Sequence, residues 1–149
     1  MTENVSLFVQ HHIQNVSKTH PSYLKDTPDF LRTIETINEG PNLPYNAMLV
    51  SMDATALFDN IPHSEGLETM EEALNERTDQ KVPTIFIKKL MKLVLEWNLF
   101  MFHEATYLQK VGVATGTHPV QDYSGIFMAR RRKNIYMGYF RSIESKNGT

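Results

Sequence analysis

One carboxylate of the sequence stands at the end of a short apolar run, where a metal-dependent enzyme would place a ligand. Residues 47–52 are mostly apolar and lead directly into Asp53, and an aromatic residue, Phe58, follows five positions later. Such a run is typical of a buried strand, which would carry the aspartate to the rim of a sheet. Enzymes that transfer phosphoryl groups hold magnesium with carboxylates. Taken alone, the run is more often a strand that stops at a solvated aspartate, so both interpretations stay open here.

A glycine-containing loop further along the chain is the second feature that could do chemistry. It runs from Gln109 and Lys110 through Gly112 to Gly116 and Thr117. Glycine lets a backbone approach a base pair or a phosphate closely. The glutamine adds a hydrogen-bond donor and the lysine adds a positive charge. A single loop of this kind is weak support for a binding site.

The histidines of the chain do not have the spacing of metal ligands. His11 and His12 are adjacent and the other four of the six are scattered, so structural or solvated roles are expected for all of them. The chain has no cysteine, which excludes a disulfide framework, a thiolate metal site and a thiolate nucleophile. The sequence also contains no P-loop.

The composition is that of one globular domain. The 149 residues are 41% hydrophobic and 21% charged, with no apolar run of membrane-spanning length. We therefore expect an intracellular protein, in nucleus or cytoplasm, with no membrane association. The net charge is −2, but the basic residues gather late in the chain, as Lys110 and then Arg130, Arg131, Arg132 and Lys133. That cluster permits contact with phosphates, although a solvated surface is the commoner explanation.

Hydrophobic spacing predicts helices around these features. The predicted helices are Val5–Val16, a second that begins at a Thr27 cap and ends at Gly40, Ser64–Glu76, Thr84–Trp97 and one that starts within Tyr123–Ala129. In the second, Phe30, Leu31, Ile34 and Ile37 form one apolar stripe. In the fourth, the predicted buried face comprises Phe86, Leu90, Leu93, Val94 and Trp97.

Two short runs, Leu99–Phe102 and Ala105–Leu108, predict a β-hairpin. Its turn residues, His103 and Glu104, are poor turn formers, because neither is Gly, Asn or Asp. The order of elements predicts an α+β fold in which helices pack around a small antiparallel sheet.

Three segments, in one collinear order, carry the pattern of a known enzyme family. They are PSYLKDTPDFL (residues 21–31), LVSMDATALFDNIPHSEGLE (49–68) and NLFMFHEATYLQKVGVATGTHPVQDYSGIFMA (98–129). Together they resemble the N-terminal motifs of the reverse transcriptases of Penelope-like retroelements. The resemblance runs from about Val5 to Ala129. It implies a partial right-hand polymerase fold, with fingers and the first part of a palm, acting on an RNA template and a DNA primer.

The resemblance implies a role for each residue singled out above. Asp53 corresponds to the first metal-binding aspartate, which would hold Mg²⁺ together with the backbone carbonyl of Ala54. Phe58 corresponds to the aromatic residue under the sugar that selects deoxynucleotides. The loop residues that would contact the template and the incoming nucleotide are Gln109, Gly112, Gly116 and Thr117.

The family's third motif, which carries paired aspartates, is absent from the sequence, because no aspartate follows Asp122. Two-metal catalysis needs several carboxylates. We therefore expect a truncated reverse transcriptase-like protein that is catalytically inactive as it stands. Its domain would span residues 1–129, and residues 130–149 would form an unrelated or disordered basic tail.

Two alternatives remain from the sequence. One is a non-enzymatic nucleic-acid-binding remnant that uses Lys110 and the 130–133 cluster on backbone phosphates. The other is a structural or partner-binding domain, because a palm sheet cut after its first strand would leave an unpaired edge and an exposed apolar face.

Overall fold

A computed structural model describes residues 2–40, 44, 46–47, 51 and 53–132 of the chain. Within them the chain forms the helices α1 (Glu3–Lys18), α2 (Thr27–Glu39), α3 (Leu57–Asn60), α4 (His63–Asn75), α5 (Thr84–Glu96) and α6 (residues 120–132), and the strands β1 (Leu99–Phe102) and β2 (Ala105–Leu108). The fold is a mostly helical, α+β-like small domain with one antiparallel hairpin. Among the described helices, none combines the length and the apolar character needed to cross a membrane.

The chain divides into two compact units. The larger comprises residues 1–20 and 56–149, and the smaller comprises residues 21–55. The predicted boundary after Ala129 stays a prediction, because residues 133–149 of the predicted tail lie outside the described residues. Helix α6 crosses that point and continues to residue 132, the last described residue.

The core of the larger unit is built by helices that pack on one another. Helix α5 packs against α1 and α4, and residues of α6 and of the loop before it complete the cluster. The fully buried side chains include Ile13 of α1, Met70 and Leu74 of α4, and Met91 of α5. The predicted helix Ser64–Glu76 is confirmed, because Leu67, Met70 and Leu74 are its buried positions.

Helix α5 is confirmed, but its buried face is rotated from the predicted one. The buried residues are Ile87, Met91, Val94 and Leu95. Phe86 and Leu93 are exposed, and so is Trp97, which lies just beyond the helix. The prediction was right for Val94, and Leu90 packs partly buried against the core, but it was wrong for Phe86, Leu93 and Trp97. The helix has apolar residues on two adjacent faces, and periodicity does not show which of them meets α1 and α4.

The hairpin is confirmed with the predicted strand bounds. Leu99 pairs with Leu108 and Phe102 with Ala105 in an antiparallel register. His103 and Glu104 both adopt positive φ values, 45° and 62°, as a tight two-residue turn requires. All eight strand residues are exposed. The helices therefore do not pack around the sheet as predicted.

In the smaller unit, α2 begins and ends where the sequence predicted, but its cap is Asp26 instead of Thr27. The Asp26 carboxylate accepts a hydrogen bond from the Asp29 amide at 2.9 Å. The predicted apolar stripe of α2 has no buried residue. Much of the predicted central strand, residues 48–50 and 52, lies outside the described residues. Ala47, Ser51 and Asp53 are exposed and are not in a strand.

Candidate functional site

The Phe58 turn is the first part of the candidate site in the larger unit. Ala56 adopts a left-handed conformation with φ of 48° and starts the four-residue helix α3. The Asn60 side chain donates to the Ala56 carbonyl at 3.0 Å and closes this turn. The Phe58 ring is half-buried against the core. The turn is therefore a fixed part of the structure.

The glycine-containing loop meets this turn directly. The Val113 amide donates to the Phe58 carbonyl at 2.7 Å. Gly112 has a positive φ of 79°, and a Cβ atom there would lie 2.6 Å from the Phe58 oxygen and 2.7 Å from the Asp59 oxygen. Both the conformation and the space exclude a side chain at residue 112. Two residues that the resemblance assigned to nucleotide binding, Phe58 and Gly112, are thus brought together.

His63 joins the same contact from the start of α4. Its Nε2 atom lies 2.8 Å from the Gly112 carbonyl oxygen in a part-buried position. A carbonyl can only accept, so Nε2 carries the hydrogen. The sequence predicted a structural or solvated role for this histidine. The sequence signal that could have drawn attention to His63 is its place in the Asn-Ile-Pro-His stretch, which the resemblance covers.

A second glycine, Gly66, lets α4 pack closely against Tyr123 of α6. A Cβ atom at Gly66 would overlap the Tyr123 hydroxyl, and would lie 2.6 Å from Tyr123 Cζ. The Tyr123 ring is buried, and its hydroxyl has no hydrogen-bond partner among the described residues. Burial raises the pKa of this phenol. Neither residue was predicted as part of a site, although both lie in the resembling segments.

Some of the other loop residues form hydrogen bonds within the loop, and others are exposed to solvent. The Gln109 side chain accepts from Asn98 Nδ2 at 2.9 Å and donates to the Val111 carbonyl at 3.0 Å, so both ends of its amide hold the loop. Lys110 is exposed. The Thr117 hydroxyl and amide both donate to the Ala114 carbonyl, at 3.0 and 3.1 Å. Gly116 faces open space. Gly116 and Lys110 therefore have room to meet a ligand, whereas the polar groups of Thr117 hold the turn beside Gly116.

The basic cluster is partly neutralised. Arg130 forms an ion pair with Glu76 at 2.6 Å, and Arg131 pairs with Glu65 and lies over the Phe127 ring. Arg132 is also engaged in an interaction, and Lys133 lies outside the described residues. The two paired arginines bind acids of α4 and its end, so the helix α6 carries less free positive charge than its sequence indicates.

Two further titratable groups, one near α6 and one within it, have shifted pKa values. Burial lowers the pKa of His20, and the nearby Arg132 and Arg130 lower it further. Burial raises the pKa of Asp122, against the effect of a hydrogen bond from Ser17. The ends of α1 and α6 are therefore in electrostatic contact.

Asp53 and Ala54 belong to the smaller unit, and both are exposed. In the described part of the chain, no group of three or more His, Cys, Asp or Glu side chains is placed to hold a metal ion. These residues therefore do not fit a two-magnesium centre, since such a centre needs several carboxylates at one place.

The chain was compared with known proteins. No protein-family model matches it, and no curated protein or solved structure is detectably similar to it. The resemblance to the Penelope-like reverse transcriptases accordingly remains a prediction from the sequence.

Proposed function

We propose that the chain is the fingers and the first part of the palm of a reverse transcriptase of the Penelope-like type. The ancestral activity is RNA-directed DNA synthesis by nucleotidyl transfer. The observation that carries the proposal is the contact between the Phe58 turn and the Gly112 loop. These are the two motifs that the resemblance places at one nucleotide site, and they are far apart in the sequence.

The residue types in this contact support the proposal further. Gly112 is required by the Phe58 and Asp59 carbonyls, and Gly66 is required by the Tyr123 ring. At each of these two positions, the contact that excludes a side chain is made by a residue of the other resembling segment. If the two motifs resembled the family by chance, there would be no reason for them to constrain each other in this way. Descent from a common fold explains why they do.

The chain in this form should be inactive. A polymerase needs carboxylates that hold both metal ions, and the described residues assemble no such group. Asp53 is the one residue of the sequence that the resemblance matches to a metal-binding aspartate of the family. An activity would need another polypeptide to supply the other acids, so no catalytic step is assigned to this chain's residues.

A primer-extension assay tests this expectation. With an RNA template, a DNA primer, deoxynucleotides and magnesium, we expect no incorporation above a protein-free control. The matched variants are Asp53→Ala and Asp59→Asn, because both remove an exposed carboxylate from the same stretch. Incorporation that is lost in Asp53→Ala and kept in Asp59→Asn would show an active enzyme and contradict the proposed inactivity.

A partner-binding domain is the second candidate, and the exposed apolar side chains favour it. Met101 of the hairpin is 77% exposed and Trp97 is 62% exposed, and α2 exposes its whole apolar stripe. Surfaces of this kind are typical of interaction sites. The nucleic-acid-binding remnant is less favoured, because Arg130 and Arg131 are paired with glutamates.

A further inference from the structure

The peptide between Gly112 and Val113 has both of its polar groups bonded to one short segment. Its N–H donates to the Phe58 carbonyl at 2.7 Å, and its C=O accepts from His63 Nε2 at 2.8 Å. A peptide unit is planar and rigid. The two bonds therefore hold one plane from opposite sides, and a rotation of that plane would break both.

Glycine at position 112 makes such a rotation feasible. A rotation of that plane changes ψ of Gly112 and φ of Val113, and glycine, which has φ of 79° here, tolerates backbone conformations that residues with a Cβ atom do not. The backbone alone therefore does not select one orientation of the plane. The Phe58 carbonyl and the His63 side chain make that selection, and only the second can be changed without altering the backbone.

The turn that follows depends on this orientation. Residues 114–117 are closed by the two hydrogen bonds that Thr117 donates to Ala114, and the Val120 amide then bonds the Thr117 carbonyl at 3.3 Å. Residues 114–117 thus form one compact turn between the Gly112–Val113 peptide and the start of α6. The direction of that peptide determines where Gly116 and Thr117 lie.

The His63 backbone has a firm position from which to hold the peptide. It is the first residue of α4, where the Gly66 amide bonds the Pro62 carbonyl at 3.0 Å. The Gly66–Tyr123 contact fixes that end of α4 against α6. The His63 side chain therefore reaches the Gly112 carbonyl from a backbone position that these other contacts already fix.

We propose that His63 is a positioning residue that fixes the Gly112–Val113 peptide and thereby the orientation of the turn 114–117. The use of that turn in contacting a template or nucleotide rests on the proposed function. The role of His63 in fixing the peptide does not rest on the proposed function, because the hydrogen bond exists in the chain without a ligand.

The test compares three variants of the full chain by amide hydrogen exchange and ¹H–¹⁵N spectra. His63→Phe keeps a ring and removes the donor, His63→Ala removes both, and His63→Gln keeps an N–H donor at a similar reach. Ile87→Val is the control, because it destabilises the core at a residue remote from the loop in sequence.

In His63→Phe and His63→Ala we expect the exchange rates of the Val113 and Thr117 amides, each bonded within the loop contact, to rise over wild type by a factor about five to ten times that seen at α5 amides, as the loss of one hydrogen bond implies. His63→Gln should restore the wild-type rates and the wild-type amide shifts. Ile87→Val should accelerate the amides that exchange through global unfolding, those of α5 among them, with no extra acceleration at the loop. Equal acceleration of loop and α5 in His63→Phe, or no rescue by glutamine, would show that His63 only adds stability and would overturn the proposal.

A second arm separates this inference from the proposed function. An RNA template–DNA primer hybrid is added to the wild-type chain and to His63→Gln. If the exchange pattern is as expected but the hybrid moves no loop resonance, the role of His63 stands and the proposed function fails. If the exchange pattern is absent while the hybrid does move the loop resonances, His63 is not the positioning residue and the proposed function stands.

Discussion

At the scale of the residue, the most demanding contact is the one between Gly66 and Tyr123. The helix interior normally disfavours glycine relative to alanine by about 1 kcal/mol. Here a Cβ atom would overlap the Tyr123 hydroxyl and lie 3.0 Å from Ile61 Cγ2. Within the described part of the chain this hydroxyl is buried without a hydrogen-bond partner, so its place against Gly66 carries a desolvation cost.

A double-variant cycle checks this contact by chemical denaturation. Gly66→Ala should lower the free energy of unfolding by about 1–3 kcal/mol, because overpacking outweighs the helix preference of alanine. Tyr123→Phe should leave stability unchanged or raise it, since it removes an unpaired hydroxyl. In the Tyr123→Phe background, Gly66→Ala should cost less than in the wild type. Equal costs in the two backgrounds would show that the hydroxyl is not the group in the way.

Single residues also set the limit of what the sequence could show. The resemblance drew attention to Phe58 and Gly112, and the structure brings them into contact. It also drew attention to Gln109, whose amide is taken up by Asn98 and Val111. No pattern along the chain distinguishes a glutamine that faces a ligand from one that bonds its own loop. The structural role expected for His63 agrees with its bond to Gly112, but the partner itself could not be predicted, because it is a backbone carbonyl with no sequence signal.

At the scale of the element, helices and strands were predictable where a period or a turn signal was clear. The hairpin bounds follow from two β-prone runs even though His103 and Glu104 are unfavourable at positive φ. The cap of α2 was misplaced by one residue, since Asp26 and Thr27 are both good caps. The orientation of α5 was not predictable, because two adjacent faces of the helix are apolar.

The α5 orientation gives a second prediction. Met91→Ala should lower the free energy of unfolding by about 2–5 kcal/mol, because Met91 is fully buried. Leu93→Ala should cost about 1 kcal/mol or less, since Leu93 is 37% exposed. Thermal or urea unfolding measures both. The opposite ranking would mean that the face first predicted from the sequence is the buried one.

At the scale of the whole molecule, the described residues expose many large apolar side chains. The hairpin and the α2 stripe are exposed, and so are Phe86 and Trp97 near the two ends of α5. The sequence predicted an unpaired edge and an exposed apolar face for a polymerase cut within its palm. It could not predict which elements would be exposed, because that depends on which helix faces the core uses.

This surface predicts self-association. Sedimentation should show a mass that rises with protein concentration. A double change on one hairpin face, Leu99→Lys with Met101→Lys, should reduce the association and leave the melting temperature nearly unchanged, because both residues are exposed. The matched control, Lys89→Ala, removes an exposed charge from α5 and should change neither quantity. A monomer at all concentrations would argue against the partner-binding candidate.

The most direct test of the proposed polymerase ancestry is a titration of the ¹⁵N-labelled chain with an RNA template–DNA primer hybrid. The proposal predicts shifts centred on Lys110, Gly116 and Thr117 that weaken steeply as salt is raised, and that Lys110→Ala reduces. Lys89→Ala should leave them unchanged. No shift at low salt, or shifts confined to the hairpin residues 99–108, would contradict a nucleic-acid site at this loop and with it the proposed origin of the chain.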